Sequence, residues 1–178
     1  MPDERWVDLI ENDFLLHLIP GERERDFVLD WLATKYRSPW ERMSAILFLA
    51  ENTSGTGRGT LFEILDGFFG TNAQLLSEHQ LFNDQFNAWM ASNVLIFCNE
   101  LGQSSHWDRK EETYGKVKEV IDPTNTQVSV RHMHHASTKA QTFTSFMLAT
   151  NRGDGLRLDY EDRRICLRRL RSSLAGIR

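Results

Sequence analysis

The chain has 178 residues, of which 40% are hydrophobic and 26% charged, a composition that excludes a disordered, collagenous or membrane-embedded chain and predicts one domain or one with a small appendage. Its 21 Lys and Arg stand against 25 Asp and Glu, a formal net charge of -4, so any polyanion site must be a local patch. Two distant cysteines, Cys98 and Cys166, exclude a disulfide framework or a zinc site built from cysteine alone; with an acidic start and no run of about 20 apolar residues, a soluble protein of a reducing intracellular compartment is expected.

Along the chain, Trp6, Leu9, Ile10 and Phe14 recur at helical spacing before a Pro20-Gly21 break. Phe27, Val28, Trp31 and Leu32 then fall on one stripe, an amphipathic helix that needs a partner surface and ends at Ser38-Pro39. Residues 1–40 thus read as an N-terminal helical region, followed by a domain over 41–178.

From Ala45 the run AILFLA reads as a buried strand, TSGTGRG as a glycine-rich loop, and TLFEILDGFFG as a helix with a glycine stop. VLIFC, from Val94 into Asn99-Glu100, and FTSFMLAT, ending at Asn151, are further strand-like runs. Three buried-type strands separated by helical segments predict a mostly parallel sheet in an α/β domain. The stretch from Asp108 to Val120 is amphipathic, and after the turn DPTN the alternation TQVSVRHMHH with the polar STKAQ predicts a β-hairpin.

A glycine loop between strand and helix converges backbone N–H groups on one point, and the helix N-terminus adds its dipole, which suits a polyphosphate. Against the pattern GxxxxGK[ST], Asn52 stands for the first glycine, Gly57 for the second, Arg58 for the lysine and Gly59 for the hydroxyl residue, with Thr60 one step later. Arg58 keeps the charge as a planar fork instead of a point ammonium. Glu100 suits a base or water-orienting group, while Asn99 brings no charge where acids hold Mg²⁺ through water. Asn151 is placed where an amide could sense a terminal phosphate or position water. Each also has a plain reading: a tight turn, a strand-capping carboxylate and a turn amide. Ligands of open α/β sheets gather at the carboxyl ends of strands, which makes the three points mutually supporting.

DWLATKYRSPWERM, GTGRGTLFEILDGFFG, FNAWMASNVLIFCNE, YGKVKEVIDPTNTQVSVRH, FTSFMLATN and DYEDRRICL, in that order over roughly Trp31 to Arg164, resemble the ATPase domain of phage and plasmid primase-helicases of the D5-like type. These belong to the superfamily 3 helicases of the AAA+ class. The resemblance implies a P-loop NTPase fold of AAA+ type with a β-hairpin insertion, acting as an ATP-dependent DNA helicase or translocase motor in phage or mobile-element replication. ATP would be bound by Asn52, Gly55, Thr56, Gly57, Arg58, Gly59 and Thr60, and Mg²⁺ by Thr60, Asn99 and Glu100. Asn99 and Glu100 take the Walker B place, Asn151 the sensor place, and Arg163 or Arg164 that of an arginine finger supplied to a neighbouring subunit.

The resemblance further implies that Arg131, His132, His134, His135 and Lys139 line a hairpin that follows single-stranded DNA in the channel of a hexameric ring. Phosphate contacts of that kind carry no sequence information. A separate primase or other replication protein is the expected partner, and the cytoplasm of a bacterial host or infected cell the expected place. Relatives carry a large N-terminal region and continue past the paired arginines, so a chain truncated at the C-terminus, a fragment or a minimal protein is expected here. Read without the family, the three histidines are surface residues or metal ligands, and Arg163 and Arg164 belong to a solvated basic strand. Two other readings compete: a degenerate P-loop subunit that binds nucleotide or DNA without turnover, and a small nucleotide kinase suggested by GTGRGT.

Overall fold

The computed structural model describes residues 8–49, 55–82, 87–101, 107–131, 136–151 and 162–169. The first helical stretch winds as a π-helix over Leu9–Leu15 and closes in a short α-turn, α1 (Leu16–Leu18). Pro20 and Gly21 interrupt it, and α2 (Glu22–Arg37) begins with Gly21 as its N-cap. Glu22 and Glu24 in its first turn and Lys35 and Arg37 in its last complement the helix dipole.

There follow β1 (Ala45–Leu49), α3 (Arg58–Phe69), β2 (Ala73–Leu76), α4 (Glu78–Phe82), α5 (Trp89–Ser92), β3 (Leu95–Cys98) and α6 (Trp107–Ile121). A hairpin of β4 (Gln127–Val130) and β5 (Thr138–Gln141) precedes β6 (Ser145–Thr150) and β7 (Ile165–Arg169). Among the described residues five strands form one sheet in the order β2-β3-β6-β1-β7, every pair parallel.

Alternation along the central strands divides the core into two layers. Ile46, Phe48, Leu95, Phe97, Met147 and Ala149 face a layer closed by Leu15, Leu18, Val28 and Trp31 of the N-terminal helices and by Leu61 and Leu65 of α3. Ala45, Leu47, Ile96, Cys98, Phe146 and Leu148 face the other, closed by Tyr114, Val117 and Ile121 of α6 and by Val128 and Val130 of the hairpin. The α/β architecture with a parallel sheet is as the apolar runs predict. The partner surface that the stripe of α2 requires is this sheet: Val28 and Trp31 are buried, Phe27 and Leu32 pack beside them, and Trp31 Nε1 donates to the Ser44 carbonyl at 2.9 Å.

Two strands go beyond the three apolar runs. β2 is four residues long with Gln74 and Leu75 exposed, and β7 runs into arginines. Both are edge strands, where one-sided pairing removes the need for a continuous apolar run.

At the amino ends of the strands two cations hold carbonyl groups. Lys35, fully buried, donates through Nζ to the carbonyls of Pro39 (2.8 Å), Glu41 (2.7 Å) and Phe143 (2.6 Å). Arg42 donates to the carbonyls of Thr144 (2.9 Å), Val120 (2.6 Å) and Asn125. Burial lowers the Lys35 pKa to about 8, with the Arg42 charge adding to it, and lowers Arg42 to about 10. Among the described residues no helix is long and apolar enough to cross a membrane.

Candidate active site

In the sheet order, β6 lies between β1 and β3, so the chain segments leaving the carboxyl ends of these three strands are neighbours. The register sets them level: Leu49 pairs with Thr150, and Cys98 with Leu148. Asn151 therefore follows the last pair of β1 and β6, while Asn99 and Glu100 continue β3 alongside Ala149 and Thr150. Leu101 N donates to the Ala149 carbonyl and Thr150 Oγ1 to the Leu101 carbonyl, both at 2.8 Å, which fastens the turn after β3 to β6. Within that turn Glu100 is exposed and has φ of 64°, a left-handed conformation that is uncommon outside glycine.

The loop enters α3 through Gly55 (φ 74°) and Gly57 (φ 89°), the latter being the N-cap. An L-side chain at Gly57 would cost about 1–2 kcal/mol in that region, which is why a glycine precedes Arg58. Helix α3 spans twelve residues, and its first N–H groups have no intrahelical acceptors. Gly59 and Thr60 are exposed on this first turn, and a Cβ at Gly59 would meet nothing within 4 Å. Asn52 lies outside the described residues.

Arg58 does not extend into solvent. It is 6% exposed, and its Nε donates to Thr56 Oγ1 at 3.0 Å and its Nη2 to Asn151 Oδ1 at 2.5 Å. Thr56 is itself buried. The Arg58 Nη1 is buried without a hydrogen-bond partner among the described residues, and so is Asn99 Oδ1. Burial pulls the Arg58 pKa down from its ordinary value, and the Glu100 carboxylate opposes that shift. Among the described residues the carboxyl end of the sheet thus holds one orphaned buried donor and one orphaned buried acceptor, beside an exposed carboxylate. Such atoms normally find partners, and a phosphate oxygen and a bound water would satisfy them.

The arginine pair lies at the other end of the sheet. The Ala45 N–H donates to the Arg164 carbonyl at 2.8 Å, which puts Arg163 and Arg164 at the amino end of β7. Arg164 grips Asp162 with Nε at 2.8 Å and Nη2 at 3.2 Å, and its Nη1 stands 3.9 Å from Asp122. Tyr114 Oη also donates to Asp162, at 2.9 Å. Arg163 is exposed. Within one chain, Arg58, Glu100 and Asn151 come together and these two arginines do not join them.

In the hairpin, Val130 pairs with Thr138 and Ser129 with Lys139. Asn87 braces its end, donating to the Ser129 carbonyl at 2.9 Å and accepting from the Arg131 N–H at 2.8 Å. Arg131 and Lys139 are exposed. His132, His134 and His135 lie outside the described residues. Among the described residues no group of three His, Cys, Asp or Glu side chains is gathered for a metal ion.

Comparison with solved structures places this fold. The C-terminal region of NrS-1, in its apo form, superposes with a TM-score of 0.82 at 18% identity, covering 94% of this chain and 39% of that one. An A form of the same region gives 0.75 at 18% identity, with 94% and 38% covered. A JCV helicase crystallised with a thiazolopyridine compound gives 0.59 at 12% identity, with 90% and 44% covered. The chain therefore spans about two fifths of the length of these structures. No curated protein sequence matches it. Residues 51–169 match the model of a family described as a family of unknown function, DUF5906, and the chain belongs to that family.

Proposed function

We propose that this chain is an ATP-hydrolysing motor domain of a superfamily 3, D5-like DNA helicase or translocase, serving phage or mobile-element replication in the cytoplasm of a bacterial host or infected cell. The observation that carries the reading is Arg58, buried at the start of α3 and bonded to Asn151 while its Nη1 lacks a partner among the described residues. The likeness of the fold to a JCV helicase and to the NrS-1 C-terminal region supports it.

The residues fit a polyphosphate well: a left-handed Gly57, the N-terminus of a twelve-residue helix and a buried guanidinium N–H unpaired among the described residues occur in consecutive positions. They fit Mg²⁺ more sparsely, because Gly59 brings no hydroxyl and Asn99 no charge; Thr60, Asn99 and Glu100 would share the ion with the nucleotide. Bound Mg²⁺ supplies charge neutralisation on the phosphate oxygens. The chain's own groups do the rest. Arg58 draws charge off the terminal phosphate, and Glu100 orients the attacking water and accepts its proton. Asn151 fixes Arg58 beside the phosphate.

In this reading the catalytic unit is a ring, with hexamer as the resemblance implies, in which Arg163 or Arg164 of one copy serves the nucleotide of the next. Arg131 and Lys139, with His132, His134 and His135, hold single-stranded DNA by its phosphates, and a primase or other replication protein is the partner. A strand-displacement assay with a forked duplex tests this: ATP-dependent unwinding supports it, and ATP turnover without unwinding or translocation sinks the motor claim.

The missing hydroxyl at Gly59 and the uncharged Asn99 favour a second reading, a subunit that binds nucleotide or DNA without turnover. Its signature is measurable ATP binding with hydrolysis no faster than that of Glu100→Gln.

A further inference from the structure

We infer that Arg58, Thr56 and Asn151 form a preorganised anion grip in which Asn151 acts as a positioning residue through Arg58, and that lysine cannot replace Arg58 here. This deepens the nucleotide reading above and rests on it. A guanidinium has only donors, so holding it in a buried place requires acceptors on fixed sides. Thr56 Oγ1 takes Nε and Asn151 Oδ1 takes Nη2. The two bonds use two corners of a rigid plane, and the third, Nη1, is left buried and unpartnered among the described residues.

That geometry gives Nη1 a fixed aim before any ligand arrives, which removes the ordering cost that a flexible side chain carries on binding. Its natural ligand is the terminal phosphate of a nucleoside triphosphate, the group that lies beyond the helix N-terminus when the inner phosphates occupy it. A lysine at 58 would bring one tetrahedral ammonium, which cannot occupy three corners of a plane. It would leave buried Thr56 and half-buried Asn151 short of a donor and would reach the phosphate only by abandoning both.

The test is calorimetric binding of ATP and ADP to the full chain, for wild type, Arg58→Lys, Asn151→Ala and the double variant, with thermal melting as the control for folding. Arg58→Lys is expected to weaken ATP about tenfold or more, the scale of one charge-assisted bond. Asn151→Ala is expected to weaken ATP about fivefold and ADP less than twofold, because its effect passes through the terminal phosphate. The double variant is expected to bind ATP no more weakly than Arg58→Lys alone. Thr56→Val, nearly isosteric, supplies a second handle if either substitution melts the fold, and it too should weaken ATP selectively.

Additive losses in the double variant, or Arg58→Lys binding ATP as tightly as wild type, would overturn the grip and leave the nucleotide reading standing. Wild type binding neither nucleotide would overturn both.

Discussion

Lys35, near the end of α2, donates a 2.6 Å hydrogen bond to the carbonyl of Phe143, 108 residues further along the chain and just before β6. With its bonds to Pro39 and Glu41 it fixes the entry of two central strands from one ammonium. The segments leaving the carboxyl ends of those strands bring Arg58 and Asn151 together, so the anchor and the site lie at opposite ends of the same two strands.

Substituting Lys35 by Met should therefore destabilise the fold strongly. Three carbonyls lose their donor in a buried place, at about 1–3 kcal/mol for each group left unsatisfied, so a loss of at least about 3 kcal/mol is expected in the urea-unfolding midpoint multiplied by slope.

The same residue predicts a pH dependence. Its pKa is about 8 in the fold against roughly 10.4 in an unfolded chain. Between those values the unfolded state binds the additional proton, so this group's contribution to stability rises with pH across that window and is flat below it. Subtracting the stability profile of Lys35→Met from that of wild type should leave a positive slope from about pH 8 to 10; a flat difference contradicts the assignment.

Gly59 offers a gain of function. A Cβ there has open space, and serine is a better helix residue than glycine by a few tenths of a kcal/mol. Gly59→Ser should fold at least as stably as wild type and raise Mg²⁺-dependent ATP turnover by supplying the missing hydroxyl. Turnover unchanged or lower, in a protein that melts normally, would show that Thr60 already fills that role or that no metal is used.

The paired arginines should separate. Arg164 holds the nearly buried Asp162 carboxylate by two bonds, so Arg164→Ala should cost about 1–3 kcal/mol of monomer stability. Arg163 is exposed, and Arg163→Ala should shift stability by less than about 0.5 kcal/mol while lowering hydrolysis only at concentrations where subunits assemble. Equal effects of both on stability would contradict this division.

On the hairpin, replacing Arg131 or Lys139 by Ala should weaken binding of a single-stranded oligonucleotide and lower the salt slope of affinity by about one unit each. Loss of affinity at an unchanged slope would mean that neither cation meets a phosphate.

Much of this fold is legible because burial on both faces leaves a nearly continuous apolar run instead of an alternation: AILFL, LIFC and SFMLAT are buried at every position, as central parallel strands are. The places of Asn99, Glu100 and Asn151 just past the ends of β3 and β6 are legible for the same reason. The edge strands β2 and β7 are not, since exposure on one side dilutes the pattern. Nor is the work of Lys35 and Arg42, because charged residues near Pro39 read as a solvated loop until carbonyls 78 to 108 positions away are brought beside them. The Arg58 to Asn151 bond is likewise a product of register: the loop residue and the strand end meet only because β1 and β6 pair with Leu49 opposite Thr150.

The most direct measurement of the proposed hydrolysis is ATP turnover by the purified chain with Mg²⁺, with and without single-stranded DNA, beside Glu100→Gln. Turnover that rises with DNA and vanishes in the variant, which still binds ATP, is the predicted result. Wild-type turnover no faster than that of Glu100→Gln under both conditions would contradict it.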